Sequence, residues 1–550
     1  YTSQYTLSLH DALPISGPRF MWPGCLLKLS ADSCRPPAFK YMLLIHPPVT
    51  KPGEPPAGLA RLAHALKSRG AAFRVWDANL EGVLYLLSKP GAAADDTWTR
   101  RAVAHVSENL RALRSPAICD NPDRYKRAVM DINRVVQMAG KAAGSHITLA
   151  DYGDARFSPV NSTDLLQAAA AFDENPFYPF FKHRLTELIE AEKPGRIGFS
   201  VNFMSQAVCA FAMAGFVKHH WPGCRIVMGG GLVTSWVNIK GFNNPFASVV
   251  DDLICGPGEE KLLAMAGLPE TSAASQPGVD YGGFPLNGYL SPGRVLPYAA
   301  TRGCYWQKCR FCPEKFENTQ YHAFDKSAIL ADLDRLRRKT TPALIHFLDN
   351  ALPPAFLKAL IEHPPGLPWY GFVRVTDHLT DPDFVRMLRA SGCVMLKIGI
   401  ESGAQHVLDA LNKGISVETV SRALKTISAA GISVYGYLLF GTPAEDEAAA
   451  RQTLSFTLAH AACIDFLNLA VFNLPAGSPE AAALDTVNFY PGDLSLYREF
   501  VHPVGWDRSP VRRFLEKEFK RLQPIREMLK KDPPFFTSNH AAFFPSGRDP

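Results

Sequence analysis

The chain has 550 residues, of which 47% are hydrophobic and 20% charged. This balance belongs to a folded protein, and the length allows two to four domains. With 58 basic against 52 acidic side chains the net charge of +6 is small, so nucleic acid is not an expected partner. The one basic stretch, 512–521, is interrupted by Glu516 and Glu518 and reads as a solvated helix face. No run of about 18 uninterrupted apolar residues predicts a membrane span. The 11 cysteines are scattered apart from three within nine residues, which excludes a small disulfide scaffold and suits a reducing, cytoplasmic setting.

Residues 1–16 (YTSQYTLSLHDALPIS) lack the charged and apolar regions of a signal peptide. They resemble a translated sequencing adapter. Residues 1–20 are therefore expected to be a non-native or disordered leader, with the native start at Met21 or later.

The first expected strand is 41–45 (YMLLI), followed by a Pro/Gly loop and a helix over 58–68. A second strand follows at 73–76, with Asp77 at its carboxyl end. Apolar runs at 198–201, 225–228 and 248–254, with an Ala- and Phe-rich helix over 207–220, continue the alternation and predict an open, mainly parallel sheet. Between them, 83–193 reads as a helical elaboration, with helices near 98–113, 124–143 and 180–191.

A second series starts near Val295. Strands are expected at 295–300, 343–348, 369–374, 395–400, 433–440 and 466–472. Helices are expected at 326–338, 354–362, 381–391, 404–411, 417–430 and 447–461. Six strand–helix repeats in about 180 residues suit a barrel or part-barrel with its chemistry at the carboxyl ends of the strands. After Pro475 the pattern weakens; a helix over 511–529 is expected in a tail that caps the barrel mouth. The fold class is thus α/β: a Rossmann-like amino-terminal domain with helical elaboration, a partial (β/α)6 TIM-type barrel and a small, mostly helical cap. The expected units are 39–268, a linker at 269–290, 291–474 and 475–550.

The sharpest local signal is TRGCYWQKCRFCPE, residues 301–314, with Cys304, Cys309 and Cys312 spaced C-x4-C-x2-C after a strand. Three thiolates in one loop can hold three irons of a cubane cluster and leave the fourth open to a substrate or cofactor. A structural zinc knot is the alternative, but it wants four ligands.

This loop, with Arg302–Gly303 before it and Phe311 before the third cysteine, resembles the signature loop of radical S-adenosylmethionine (SAM) enzymes. The usual spacing there is C-x3-C-x2-C, one residue shorter, and the wider RGCYW form resembles that of cobalamin-binding members. The resemblance extends over 41–472. It implies a [4Fe–4S] cluster on the three cysteines, with SAM chelated to the open iron and split reductively to a 5′-deoxyadenosyl radical that abstracts a substrate hydrogen. It further implies that Phe311, Asp349, Arg374, Glu401, Ser402, Gly441 and Pro443 line the SAM site. Without the family, Glu401 also suits a helix start and Asp349 a loop cap.

Residues 39–265 resemble the cobalamin-binding domain joined to many such enzymes. The stretches carrying the likeness are LLIHPPVTKPGEPPAGLARLAHALKSRG, GFSVNFMSQ, MGGG and DDLICGPGEE. The resemblance implies cobalamin contacts from Asp77, Asn79, Gly82, Ser200, Gly229, Gly230, Gly231, Gly256 and Glu259. The family's D-x-H-x-x-G stands here as Asp77-Ala78-Asn79-Leu80-Glu81-Gly82. Asn79 thus replaces the histidine that ligates cobalt, and cobalamin is expected without a His lower ligand. A corrin beside a radical generator suits methyl transfer from methylcobalamin to carbon. A rearrangement or cyclisation without methyl transfer stays open, as do an electron-transfer protein, a cobalamin-sensing module and a methylthiotransferase. The expected partners are a small-molecule or peptide substrate, in keeping with natural-product or modified-peptide pathways, and an external electron donor such as flavodoxin or ferredoxin.

Overall fold

Two all-parallel sheets organise the computed structural model, which describes residues 41–89, 96–142, 144–269, 276–317 and 319–544. The expected leader lies outside the described residues. The first sheet contains β1 (Met42–His46), β2 (Phe73–Asp77), β3 (Arg196–Ser200), β4 (Arg225–Gly229) and β5 (Asp252–Leu253), in the order β2-β1-β3-β4-β5. The strand β1 is buried at all five positions, as a parallel strand covered on both faces must be. The apolar run at 248–254 yields only the two-residue β5, because it lies at the sheet edge and pairs with β4 alone.

Between β2 and β3 stands the helical elaboration, with helices Ala78–Ser88, Thr97–Ala104, Val106–Leu113, Pro122–Ala142, Ser162–Ala170 and Tyr178–Glu192. The helix expected over 98–113 is two helices. They divide at His105, whose backbone leaves the helical region and whose imidazole pairs with Glu108 in the next turn. A short hairpin, Ser145–Ile147 against Tyr152–Asp154, also interrupts the region.

The second sheet runs β6 (Val295–Tyr298), β7 (Leu344–Phe347), β8 (Trp369–Val373), β9 (Cys393–Glu401), β10 (Ser433–Phe440) and β11 (Phe466–Val471), each pairing in parallel with the next. This is the partial six-stranded barrel. Its helices begin where the sequence offers short polar caps. Asp325, Asp381, Ser416 and Asp446 each accept a backbone N–H of the first turn, satisfying donors a helix start otherwise leaves open.

Beyond the barrel, Leu474–Pro475, Thr486–Asn488 and Tyr497–Phe500 form a small antiparallel sheet, too short for alternation to show in the sequence. The helix expected over 511–529 is split into Arg508–Lys517 and Gln523–Lys531 around the tight turn Phe519–Arg521. Pro524 explains the break: it has no N–H to donate and favours extended backbone before it. The segment after Pro533 returns to the barrel, where Ala541 and Ala542 pack with Val295, Leu344, Tyr370, Met395, Tyr435 and Phe466. Among the described residues no helix is long and apolar enough to cross a membrane.

One hydrophobic cluster joins the two sheets, taking Leu44, Val227 and Ile254 from the first and Leu296, Ile345 and Phe347 from the second. A second cluster fills the other face of the first sheet and the helical elaboration, where helix Met204–His220 packs on Ser162–Ala170. The approach of these helices depends on Gly215, where a Cβ would collide with the Ala169 carbonyl. Gly215→Ala is expected to lower stability by roughly 1–3 kcal/mol through overpacking. Gly223→Ala, with nothing within 4 Å of an added Cβ, is expected to leave it unchanged; thermal unfolding of both variants checks the contrast.

Candidate functional site

The carboxyl ends of both sheets open on one cavity of about 120 Å³. Its walls include Ser200, Gly229, Gly230, Gly231, Gly256 and Glu259 from the first sheet's loops and Tyr298, Thr301, Arg302 and Leu348 from the barrel. Gly230 has φ +107°, and a Cβ there would sit 2.6 Å from the Val201 carbonyl and 2.7 Å from Asn202 Oδ1. Only glycine fits this turn.

Six of the nine residues expected at cobalamin therefore share one wall. The other three are engaged elsewhere. Asp77 caps helix Ala78–Ser88 by accepting from Leu80 N at 2.9 Å and also accepts from the Tyr289 hydroxyl at 2.6 Å. Asn79, 2% exposed, accepts from Thr50 N at 2.8 Å and donates to Thr50 O at 3.1 Å. Its carboxamide thus braces the loop after β1. Gly82 gives room to the rings of Phe177 and Phe180. His46 is likewise internal, bonded to Thr50 and beside Gln206.

At the same cavity Glu259 is shared by two guanidinium groups. Arg61, on the helix after β1, pairs with its Oε1, and Arg302 donates to the same oxygen at 2.8 Å. The two guanidinium carbons lie 4.4 and 5.2 Å from the Phe324 ring centre. Burial, and then the neighbouring Arg61 charge, pull Arg302 down to about 10. Arg302 stands two residues before Cys304, so this ion cluster ties the root of the cysteine loop to the first domain.

The cysteine loop crosses the mouth of the barrel. Gly303 and Gln307 turn it with φ of +64° and +51°, and Trp306 fastens it by donating to Asn412 O at 3.1 Å. Arg374, at the end of β8, stacks 3.7 Å from the Trp306 ring centre and donates to the carbonyls of Lys413 and Gly414. Lys413 in turn donates to Glu401 Oε1 at 2.7 Å in a largely buried pair. Glu401 adopts φ +62°, uncommon for a residue with a side chain and typical of constrained functional sites. Burial pushes the Cys309 and Cys312 thiols up. Lys413 opposes the shift at Cys309, while Glu314 and the other two thiols add to it at Cys312. The loop thus brings Cys304, Cys309 and Cys312 into electrostatic reach of one another and of the Glu401–Lys413 pair.

Among the described residues no three His, Cys, Asp or Glu side chains are arranged to hold a single metal ion. Three thiols spread over a loop suit a polynuclear cluster, in which each iron takes one thiolate, better than mononuclear zinc with its closed set of four ligands.

The remaining expected residues divide. Phe311 packs between Ala404, Leu411 and Leu439, with Lys413 5.5 Å from its ring centre. Asp349 accepts from Ala300 N at 3.0 Å and Thr301 Oγ1 at 2.6 Å, and burial holds it up at about 6; it anchors the strand that leads to the cysteines. Ser402 is 1% exposed and bonds Thr453 and Ala404 N. Gly441 turns with φ +76° ahead of Pro443, and its N–H donates to Glu445 at 2.5 Å. Arg302, Arg61, Trp306, Lys413 and Glu445 complete the site without having been expected there. Arg302 and Trp306, in the RGCYW stretch, carried a signal in the sequence; Arg61 and Glu445 carried none.

Residues 298–457 match the Radical SAM superfamily. Two curated proteins align over part of the chain. Anaerobic magnesium-protoporphyrin IX monomethyl ester cyclase of Rubrivivax gelatinosus is 25% identical over 179 residues, 31% of each chain. Bacteriochlorophyllide d C-12(1)-methyltransferase of Chlorobaculum tepidum is 25% identical over 175 residues, 30% of this chain and 38% of the relative. The match thus spans about a third of the length of these relatives. The solved structure of OxsB, a cobalamin-dependent SAM radical enzyme with aqua-cobalamin and SAM bound, superposes with TM-score 0.57 at 12% identity, over 88% of this chain and 67% of that one. The barrel region thus matches the radical SAM superfamily, and the fold of the chain is similar to that of OxsB.

Glu445 lies under the Gly441 turn, accepting also from Trp506 Nε1 at 3.1 Å, and burial pushes it up to about 7. The folded state therefore holds this proton at pH values where the unfolded chain has lost it. This contribution makes stability fall as pH rises from about 4.5 to 7. Glu445→Gln keeps an acceptor for both donors and removes the titration, so urea unfolding of the variant is expected to lose stability less steeply over that window. Equal slopes would contradict the assignment.

Proposed function

We propose that this chain is a cobalamin-dependent radical SAM enzyme that methylates a carbon of its substrate. The observation that carries the reading is the shared cavity, where glycine turns from the first sheet face the barrel strands that lead to the three cysteines. The donor sets fit both groups. Three thiols on one loop suit a [4Fe–4S] cluster. On the cavity wall, Glu259 Oε2 is buried with no donor among the described residues, an acceptor the amide arms of a corrin can use. When bound, the cluster supplies the electron that cleaves SAM to methionine and a 5′-deoxyadenosyl radical, and cobalamin supplies a transferable methyl group.

The protein's share is placement. Cys304, Cys309 and Cys312 hold the cluster. Glu401, fixed by Lys413, presents a carboxylate to the ribose or amino group of SAM, while Phe311 and the Gly441–Pro443 turn flank its adenine. Asp349, Arg374 and Ser402 act one step back, holding the strands and loops that bear these contacts. In the first domain, Ser200, Gly229–Gly231, Gly256 and Glu259 take the corrin, and Asn79, with both amide groups engaged by Thr50, leaves the cobalt without an imidazole below. The units read from the sequence, 39–268, 291–474 and 475–550, serve as cobalamin domain, radical domain and cap. A reduced flavodoxin or ferredoxin is the expected electron donor, in the cytoplasm. A second reading, radical cyclisation without methyl transfer, draws support from the cyclase relative.

Cluster-reconstituted protein with methyl-labelled SAM tests the proposal. Cys309→Ala is expected to abolish formation of 5′-deoxyadenosine while leaving the far-ultraviolet circular dichroism unchanged. Retained cleavage by the variant would sink the cluster assignment. Label carried onto cobalamin by the wild type supports methyl transfer; SAM cleavage without such label favours the cyclisation reading.

A further inference from the structure

The inner face of the barrel carries a lysine that cluster, SAM and cobalamin leave unused. Side chains alternate along a strand, so Lys397 and Gly399 of β9 share one face, and beyond a register irregularity the Glu401 carboxylate returns to it beside Gly399. Glu401 stands at the carboxyl end, beside Lys413 and the cysteine loop. Gly399 between them is part-exposed and bears no side chain; a Cβ there would collide with Glu401 and lie 2.8 Å from Lys413 Nζ, so the Glu401–Lys413 pair reaches over it. Lys397 forms the floor, 3% exposed.

The floor is a built arrangement. Lys397 Nζ donates to His346 Nε2 at 2.7 Å. With Lys397 as the ammonium, which cannot accept, the ring carries its proton on Nδ1 and donates it to Glu54, 3.0 and 3.1 Å from the two carboxylate oxygens. His346 also stacks on Tyr370 with ring centres 4.4 Å apart and 6° between planes. Glu54 receives a further bond from Asn539 Nδ2 at 2.9 Å, and Lys51 donates to Thr537 Oγ1 at 2.8 Å. The loop after β1, the strand β7 and the carboxyl-terminal segment thus all converge to aim one lysine.

Two lysines, Lys51 and Lys397, face a single carboxylate here. A buried ammonium without a full counter-charge is costly. Burial draws Lys397 down to about 7 and Lys51 to about 8. Asp532, which Tyr437 senses, is itself pushed up to about 7 by burial and so brings only a partial charge. Beside Gly399 stand Phe372 and Tyr437, half-buried rings 4.8 Å apart. Phe372 is in register with Lys397 and Tyr437 with Gly399, and Lys397 Nζ lies 4.3 Å from the Phe372 ring centre.

We infer that Lys397 receives an anionic group of the substrate, a carboxylate or a phosphate, while a flat apolar part of the same molecule lies by Gly399 against Phe372 and Tyr437. The inference rests on the radical SAM reading, which directs the reacting end of the substrate toward Glu401 and the cysteine loop. Lysine has three donors and His346 takes one, so the anion gains charge-assisted bonds from the others. The His346–Glu54 pair keeps the lysine oriented whether or not the anion is present.

Calorimetric titration of the reconstituted protein tests the inference. The probes are SAM, benzoate, phenyl phosphate and the neutral benzamide, added to wild type, Lys397→Met and Lys397→Arg. Benzoate or phenyl phosphate is expected to bind the wild type, and whichever binds identifies the anion. Its affinity is expected to fall by about tenfold or more in the Met variant, the loss of a charge-assisted hydrogen bond, and to stay within a few-fold in the Arg variant, which keeps the cation. Benzamide is expected to distinguish none of the three. A wild type that binds SAM but neither anion, or a Met variant that holds the anion as tightly as wild type, overturns the inference. A wild type that fails to bind SAM overturns instead the radical SAM reading on which it stands.

Discussion

A single buried carboxylate, Glu259, holds two guanidinium groups, and the relation between the two halves of the site depends on it. Arg61 belongs to the first helix of the first domain, while Arg302 opens the cysteine loop of the barrel. Removing the carboxylate takes the shared counter-charge from both guanidinium groups at once, a cost of about 3–5 kcal/mol. The cavity wall and the cysteine loop are therefore fixed relative to each other by an interaction that neither domain makes alone. The common hydrophobic cluster fills the space around this joint, and the ion cluster gives it a defined register.

The barrel answers the same requirement from the other side. Arg374 stacks on Trp306 and bonds the carbonyls of Lys413 and Gly414, and Lys413 reaches Glu401. The loop bearing the three thiols is thus tied to the ends of β8 and β9 through side chains that themselves need no cofactor. Asp349 does the same for the strand before the loop. A site that handles a radical gains from such bracing, because small displacements of reacting groups are costly in rate.

Much of this was legible in the sequence. The strand Ser433–Phe440 and the helix Pro354–Glu362 coincide with their expected bounds, since each is a clean apolar pattern between turn residues or prolines. The glycine turns at 229–231 and 256 were legible and stand on one cavity wall, and the cysteine spacing marked the loop that follows the first barrel strand. Long-range polar contacts were not legible. Asn79 occupies a ligand's place in the motif, yet its partner is Thr50, 29 residues away. Asp77 serves Tyr289, 212 residues on. Arg374 and Ser402, expected at SAM, also bond Gly414 and Thr453, partners no local pattern shows. Lys397 stood in an apolar strand as a visible anomaly, but its partners Glu54 and His346 come from two distant segments, so no local pattern could give it a role. Periodicity reports which face is buried; it does not report which polar groups meet across the fold.

The proposed enzyme holds an iron–sulfur cluster on the cysteine loop and a corrin in the cavity beside it. Oxygen-free purification with cobalamin supplied, followed by iron, sulfide and cobalt counts on one sample, tests it most directly. About four irons and four sulfides with one cobalt per chain is the result expected from a cubane on three thiolates beside a corrin cavity. Iron and sulfide without cobalt would contradict the assignment of the cavity, and cobalt without iron would contradict that of the cysteine loop.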